Sequence, residues 1–347
     1  MKNKKRNIFF LLSALLIAAI LLSVSLGAVS MSVGQVVAIL LKSVGVKSSI
    51  LFSENQENVL WTLRLPRIGF AVMIGAALAT SGVALQGLFR NPLVDSGLIG
   101  IASGSSLFAS CFILFNGFVP ALVIGNSQLT MAITSFTGAS LTAFLVYRIS
   151  QYQKRINIAV LILAGVALNA LTASLTGLLT YFADDSQLRD LTFWTLGSLA
   201  GATWSNLAIL LPFILLPMLI LQRSAKALNA FSLGENPAHF LGINIRRTKI
   251  VVLLCSTAMV GASVAFAGVI AFVGLVIPHI MRMLVGPGHR ALLPVSAIAG
   301  ATLLCFADLL SRTLLPPTEI PVGIITALMG TPVLLTILLK QKKNLFS

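Results

Sequence analysis

Long apolar runs recur along almost the whole chain, from Ile8 to Leu339, and only short polar loops separate them. No other feature limits the fold as strongly. A helix closes its backbone hydrogen bonds internally, so a run of about 20 apolar residues is the natural way to carry a chain across hydrocarbon. The runs predict spans at 8–30, 64–84, 96–116, 120–146, 156–180, 204–221, 249–269, 272–284, 292–312 and 320–339. That is about ten transmembrane helices in an all-α polytopic membrane protein, with residues 1–347 forming one transmembrane domain. Hydrophobic residues make up 57% of the chain and charged residues 10%, too few charges to cover a soluble surface. The eighth span is short. Gly268, Gly274 and Pro278 predict a broken or re-entrant element there.

The charges set an orientation. Lys2, Lys4, Lys5 and Arg6 precede the first run. That run is longer than the apolar core of a signal peptide, about 7–15 residues, so it reads as a retained first helix with a cytoplasmic start. With ten spans, eighteen of the 24 Lys and Arg fall on the cytoplasmic side, and both termini are expected there. The net charge of +15 is divided among short loops and forms no continuous basic face, which argues against nucleic acid as a partner. Cys111, Cys255 and Cys305 lie inside apolar runs without metal-ligand spacing, and no metal site is expected from them or from His239, His279 and His289.

Small residues crowd two spans, Gly75-Ala76-Ala77 with Gly82 and Gly261-Ala262 with Gly268, and predict close helix packing. Arg90-Asn91-Pro92 leading to Gly100, and Glu235-Asn236-Pro237 leading to Gly242, hint at an inverted internal repeat of two five-span halves.

Three polar clusters carry functional expectations. Leu63-Arg64-Leu65-Pro66-Arg67 lies at the outer mouth of the second span, and Arg312 falls on the same side. Arginines there run against the positive-inside tendency. They can dock an acidic partner or anchor at the interface. On the docking reading, R64E/R67E weakens docking and leaves the fold intact. The 222–248 segment is the longest cytoplasmic piece. A short helix is expected to start near Asn236 with Pro237 in its first turn. Phe240, Leu241 and Ile243 would then offer an apolar edge to a cytoplasmic partner. Asp308 sits four residues before Arg312, and local pairing on one helix face accounts for it better than a proton path does.

No Gly-x-Ser-x-Gly, His-Glu-x-x-His or phosphate-binding Gly-x-x-x-x-Gly-Lys-Ser/Thr motif occurs. The chain is therefore not expected to be an enzyme, and any ATP that drives transport must be bound by another chain. A proton-coupled secondary transporter, a membrane enzyme and a pore-free scaffold are the competing classes.

Taken together, the motifs resemble one family. Arg64-Leu-Pro-Arg67, the run Gly75 to Leu93 through Gln86-Gly87 and Arg90-Asn91-Pro92, and Gly97-Leu-Ile-Gly100 are similar to the permeases of iron-siderophore, haem and cobalamin ABC importers. So are Phe193-Trp-Thr-Leu-Gly-Ser-Leu199, Leu233-Gly-Glu235, Phe272 to His279 with Arg282, Glu319-Ile-Pro-Val-Gly323 and Gly330-Thr-Pro332. The resemblance covers about residues 8–340 in the family's order; Asp95-Ser96 is a mild departure. It implies ten helices in a type II importer fold and alternating access. It also implies a second permease subunit, as homodimer or heterodimer, two ATPase subunits holding ATP and magnesium, and an extracytoplasmic binding protein. A ferric siderophore is the first expected cargo, with haem and cobalamin as alternatives, and the setting is a bacterial plasma or inner membrane. Carried over to this chain, Arg64, Arg67 and Arg312 resemble the residues that meet the binding protein. Gly234, Glu235, Asn236, Pro237, Ala238, His239, Phe240, Leu241 and Gly242 resemble the segment that couples to the ATPase. Gln86, Asn169 and Thr172 are expected by position to line the path.

Overall fold

The computed structural model describes residues 2–46, 48–115, 127–152 and 155–345. Lys47, Lys154 and the beginning of the span expected at 120–146 lie outside the described residues. The elements, in order, begin with α1 (Lys2–Ser25), α2 (Val33–Ser43) and α3 (Glu54–Asn58). A π-helical turn, Val59–Arg64, joins α3 to α4 (Leu65–Phe89). Then come α5 (Ile101–Phe115), α6 (Ser127–Ser150), a hairpin of β1 (Gln151–Tyr152) and β2 (Arg155–Ile156), α7 (Ile158–Phe182) and α8 (Asp185–Thr195). The remainder is α9 (Trp204–Arg223), α10 (Ala225–Phe231), α11 (Glu235–Phe240), α12 (Ile245–Ala267), α13 (Val273–Val285), α14 (His289–Thr313) and α15 (Val322–Leu345).

Among the described residues, seven helices are long and apolar enough to cross a membrane: α1, the α3–α4 unit, α6, α7, α9, α12 and α14. The shorter apolar helices α5 and α13 and the apolar part of α15 occupy the other three expected positions. The elements not expected are short. Several begin at a capping box, with Ser32 and Gln35 starting α2, Ser53 and Gln56 starting α3, and Asp184 and Gln187 starting α8. Each box satisfies helix-end N–H groups that would otherwise lack acceptors.

The helix α4 is the central post. Every residue from Ile74 to Phe89 is buried, and α12, α13 and α14 pack around it. Glycine makes this possible at two places. A methyl on Gly75 would run into the backbone of Gly300, and one on Gly82 into the backbone of Gly274. The Gly75–Gly82 run thus sets helix-to-helix backbone contact, as expected, whereas Gly261 first meets the side chains of Ala139 and Phe136.

Two half-length helices define the middle of the bundle. The helix α5 follows α4 through the non-helical segment 90–100, and α13 follows α12 through the non-helical segment 268–272. Leu98 meets Gly165, a third of the way along α7, and Gly274 meets Gly82 well inside α4, so both half-helices begin inside the bundle. Because α4 runs toward the end that carries Arg90 and α12 runs away from the neighbouring α11, the two pairs point in opposite senses, as an inverted repeat requires. The Asn-Pro correspondence does not mark that repeat. A methyl on Gly234 would lie 3.7 Å from Arg90 Nη1, so both Asn-Pro segments sit at one end of the molecule, which inverted equivalents cannot do.

Candidate functional site: a central cavity and two polar ends

The expected outer arginines do come together, at the end of the bundle away from α11. They are not free. Arg64 is 5% exposed and donates to the carbonyls of Val24 and Val29. Arg312 donates to the carbonyls of Ser23 and, at 3.2 Å, Leu26, and at 2.6 Å to Ser23 Oγ. These carbonyls belong to the last turn of α1 and the chain just beyond it, where a helix lacks its own donors. Leu26 N–H serves Leu22 and Met31 N–H serves Ser25, which completes the capping of α1. Gly27 sits at φ 145°, a conformation that favours glycine, and a methyl there would also stand 2.9 Å from Arg64 Nη2. The expectation that Arg64 is offered to an acidic docking partner or anchors at the interface is therefore corrected, because its guanidinium is held inside by the end of α1.

Arg67 binds two acids. Its Nε donates to Asp308 Oδ1 at 2.8 Å, and its two terminal nitrogens grip Glu319 at 2.9 Å each. Asp308 is 1% exposed and also faces Arg312 at 3.5 Å, the i,i+4 pair expected from sequence. Glu319 is the accessible member, with 42% of its side chain exposed.

At the opposite end, α11 begins at Glu235, one residue before the expected start, with Gly234 before it at φ 116°. Ala238 is buried against the bundle, while Asn236, Pro237, His239, Phe240 and Leu241 are exposed. Phe240 is 88% exposed. Gly242, at φ 77°, ends the turn with its N–H on His239 O at 2.9 Å. Sequence reasoning missed the partner of Glu235. Both its oxygens accept from Lys249 Nζ at 2.8 Å, and Lys249 is 5% exposed on α12. His289, the buried histidine, pairs through Nδ1 with Asn229 Oδ1 at 2.8 Å, which ties the first turn of α14 to α10.

Between the ends lies a cavity of about 620 Å³ bounded by the 95–98 segment, α5, α7 and Val269. Ser103, Ser106, Asn169, Thr172, Thr176 and Asp95 provide its polar lining. Asn169 ties the non-helical 90–100 segment down. Its Nδ2 donates to Gly97 O at 2.8 Å, and its Oδ1 accepts from Ser103 Oγ at 2.5 Å. Asp95 Oδ1 accepts from the N–H groups of Gly97 and Leu98 at 2.8 and 3.1 Å. Asn169 and Thr172 both lie on this cavity. Gln86 does not. It is 2% exposed, its Oε1 accepts from Arg282 Nη2 at 3.0 Å, and its Nε2 faces the carbonyls of Gly274 and Leu275. Its amide joins α4 to α13 and is corrected from a lining residue to an interhelical one.

The sequence matches the model of the FecCD transport family over residues 15–340. It is 42% identical over 298 residues to the hemin transport system permease of Yersinia pestis, covering 85% of this chain and 88% of that one. It is 35% identical over 345 residues to the vitamin B12 import system permease of Escherichia coli O157:H7, covering 98% and 97%. An inward-facing metal-chelate type ABC transporter superposes with a TM-score of 0.83 at 34% identity, covering 96% of this chain and 99% of that one.

Proposed function

The chain belongs to the FecCD transport family, and from that premise we propose that this ABC importer permease carries iron held in an organic chelate, haem first. It is a multi-pass membrane subunit that catalyses no covalent step; ATP is hydrolysed by separate subunits. The lining of the central cavity carries the cargo reading. Iron without a shell needs carboxylate, imidazole, phenolate or thiolate ligands. The lining offers hydroxyls, one amide and a single carboxylate whose Oδ1 already accepts two backbone hydrogen bonds. A cargo that brings its own ligands suits such a wall. The similarity to a hemin permease favours haem, and the likeness to a metal-chelate transporter keeps a ferric siderophore as the second reading.

The rest of the machine follows in the same reading. The exposed edge of α11 presses into a cytoplasmic ATPase. The Arg67–Glu319 corner meets the extracytoplasmic binding protein, and the basic excess at the α11 end supports a cytoplasmic side there, with both termini on it. A second permease subunit covers the exposed leucine stripe of α7, Leu171, Leu175 and Leu178. ATP binding draws the ATPases together and moves α11, and alternating access at the cavity follows from that motion.

The test is initial-rate uptake of labelled haem, ferric siderophores and cobalamin in a deletion strain and its complemented parent under iron limitation. Loss of haem uptake, restored by this chain, is expected. Loss confined to a siderophore selects the second reading. Loss confined to cobalamin, or unchanged uptake of all three, refutes an iron-chelate cargo.

A further inference from the structure

A second cavity, about 340 Å³, lies on the flank of the bundle between α6 and α12, outside the site described above. Its walls are apolar, with Ala143, Phe144, Ile250, Leu253 and Leu254. Arg148, in the last turn of α6, and Arg246, in the first turn of α12, stand together at one extremity. Both arginines are exposed, and among the described residues no carboxylate pairs with either. Arg148 leans over the Phe144 ring at 5.9 Å, inside the groove. The lining runs from Ser140 to Arg148 on α6, with Gln151 just beyond it in β1, and from Thr257 down to Arg246 on α12. At 1.5 Å per residue that is roughly 16 Å of depth, close to the half-thickness of the hydrocarbon core, about 15 Å. The groove is therefore apolar for the depth of one leaflet and doubly cationic where that leaflet's headgroups begin.

We propose that this groove is a binding site for an anionic phospholipid, with its phosphate on Arg148 and Arg246 and an acyl chain along Phe144 and Leu254. Charge complementarity selects the headgroup, since two unpaired guanidiniums beside a membrane-depth groove favour an anionic lipid over a zwitterionic one. Phe144 and Leu254, 57% and 63% exposed, give the chain an apolar bed. The α12 helix leaves α11 through only Leu241–Asn244, so a lipid seated here bears directly on the base of the helix that follows the ATPase-facing segment.

The experiment uses the permease purified with its ATPase and native mass spectrometry. Dioleoylphosphatidylglycerol, dioleoylphosphatidylcholine and inorganic phosphate are added in turn. Phosphatidylglycerol should be retained and phosphatidylcholine should not. R148Q/R246Q should weaken retention about fivefold per lost charge, so about 25-fold in all. Leu254→Trp, which fills the groove and keeps both arginines, should lose phosphatidylglycerol as well, and this carries the test if the double variant does not fold. Inorganic phosphate should not displace the lipid; complete displacement would mean a simple anion site and overturn the proposal. Equal retention of both lipids, or phosphatidylglycerol retention unchanged in both variants, would overturn it too.

Discussion

Arg64 and Arg312 close the open carbonyls at the end of α1, and Arg67 neutralises Asp308, so three charges that look like surface features in the sequence hold the molecule together. A carboxylate at position 64 would face backbone carbonyls, so R64E disturbs folding and cannot report on docking alone. The Arg67–Asp308 pair gives a cleaner measurement. R67M leaves Asp308 buried with Arg312 3.5 Å away, and removing one partner of a buried pair costs about 3–5 kcal/mol. R67M/D308N also removes the stranded charge and should recover more than half of that loss. Thermal unfolding in detergent reads both variants; identical midpoints for the single and the double would show that the pair is not coupled. For docking, the accessible residue is Glu319. E319Q loosens the grip on Arg67 and leaves its guanidinium freer for a partner's carboxylate, so tighter binding-protein affinity in reconstituted membranes is expected. Weaker affinity would mean that Glu319 positions Arg67 for docking.

At the scale of elements, α11 is held by one charge pair and presents one apolar knob. F240A removes an almost fully exposed ring, which should leave melting within about 0.5 kcal/mol of the parent while cargo-stimulated ATP hydrolysis falls. E235Q should lower both, because it strands the buried Lys249, and E235Q/K249M should restore melting. Normal coupling in F240A would refute the reading of α11 as the ATPase contact. The cap of α8 gives a pH test. The backbone N–H of Gln187, then the hydroxyl of Ser186, hold the Asp184 carboxyl below its ordinary range. The folded value is the lower one, so the ionised cap supports α8 above the ordinary Asp value of about 3.9. That support disappears as pH falls through the lowered value. Amide exchange in α8, corrected for intrinsic rates, should stay level from neutral pH down to that range and rise below it. D184N keeps an acceptor that does not titrate and should flatten the profile. Much of this level was legible in the sequence. Among the described residues, the apolar runs correspond to seven long helices and to α5, α13 and the apolar part of α15, Gly268 and Pro278 to the broken helix, and Glu235 to Gly242 to the exposed turn. The Ser-x-x-Gln and Asp-x-x-Gln boxes of α2, α3 and α8 were equally readable, but they lie outside the apolar runs that drive the span count. What could not be read was direction. Periodicity does not say that Gln86 faces Arg282, or that Arg64 finds a carbonyl 40 residues earlier in the chain, because α4 is apolar and buried on every side.

At the scale of the whole molecule, two half-helices of opposite sense, α5 and α13, begin inside the bundle. The segments that feed them, 90–100 and 268–272, both reach the central cavity through Asp95 and Val269. Irregular backbone inside a membrane protein is tolerated where protein or a water-filled cavity surrounds it. Such segments are also the parts that can change shape without breaking a long helix. The cavity should therefore be the place where access alternates. Thr176 on α7 lines it, whereas Leu216 on α9 is exposed on the outside of the bundle. In a background lacking Cys111, Cys255 and Cys305, T176C should react with a small impermeant thiol reagent at rates that differ severalfold between the nucleotide-free complex and the ATP-trapped one. The rate for L216C should not change. If T176C labels equally in both states, the cavity is a fixed void in the packing and the path lies elsewhere. A state-dependent rate would place the change in access between α5 and α7, where Asn169 holds the start of α5 and the segment before it through Ser103 and Gly97. N169L would then uncouple that hold and make the T176C rate insensitive to nucleotide.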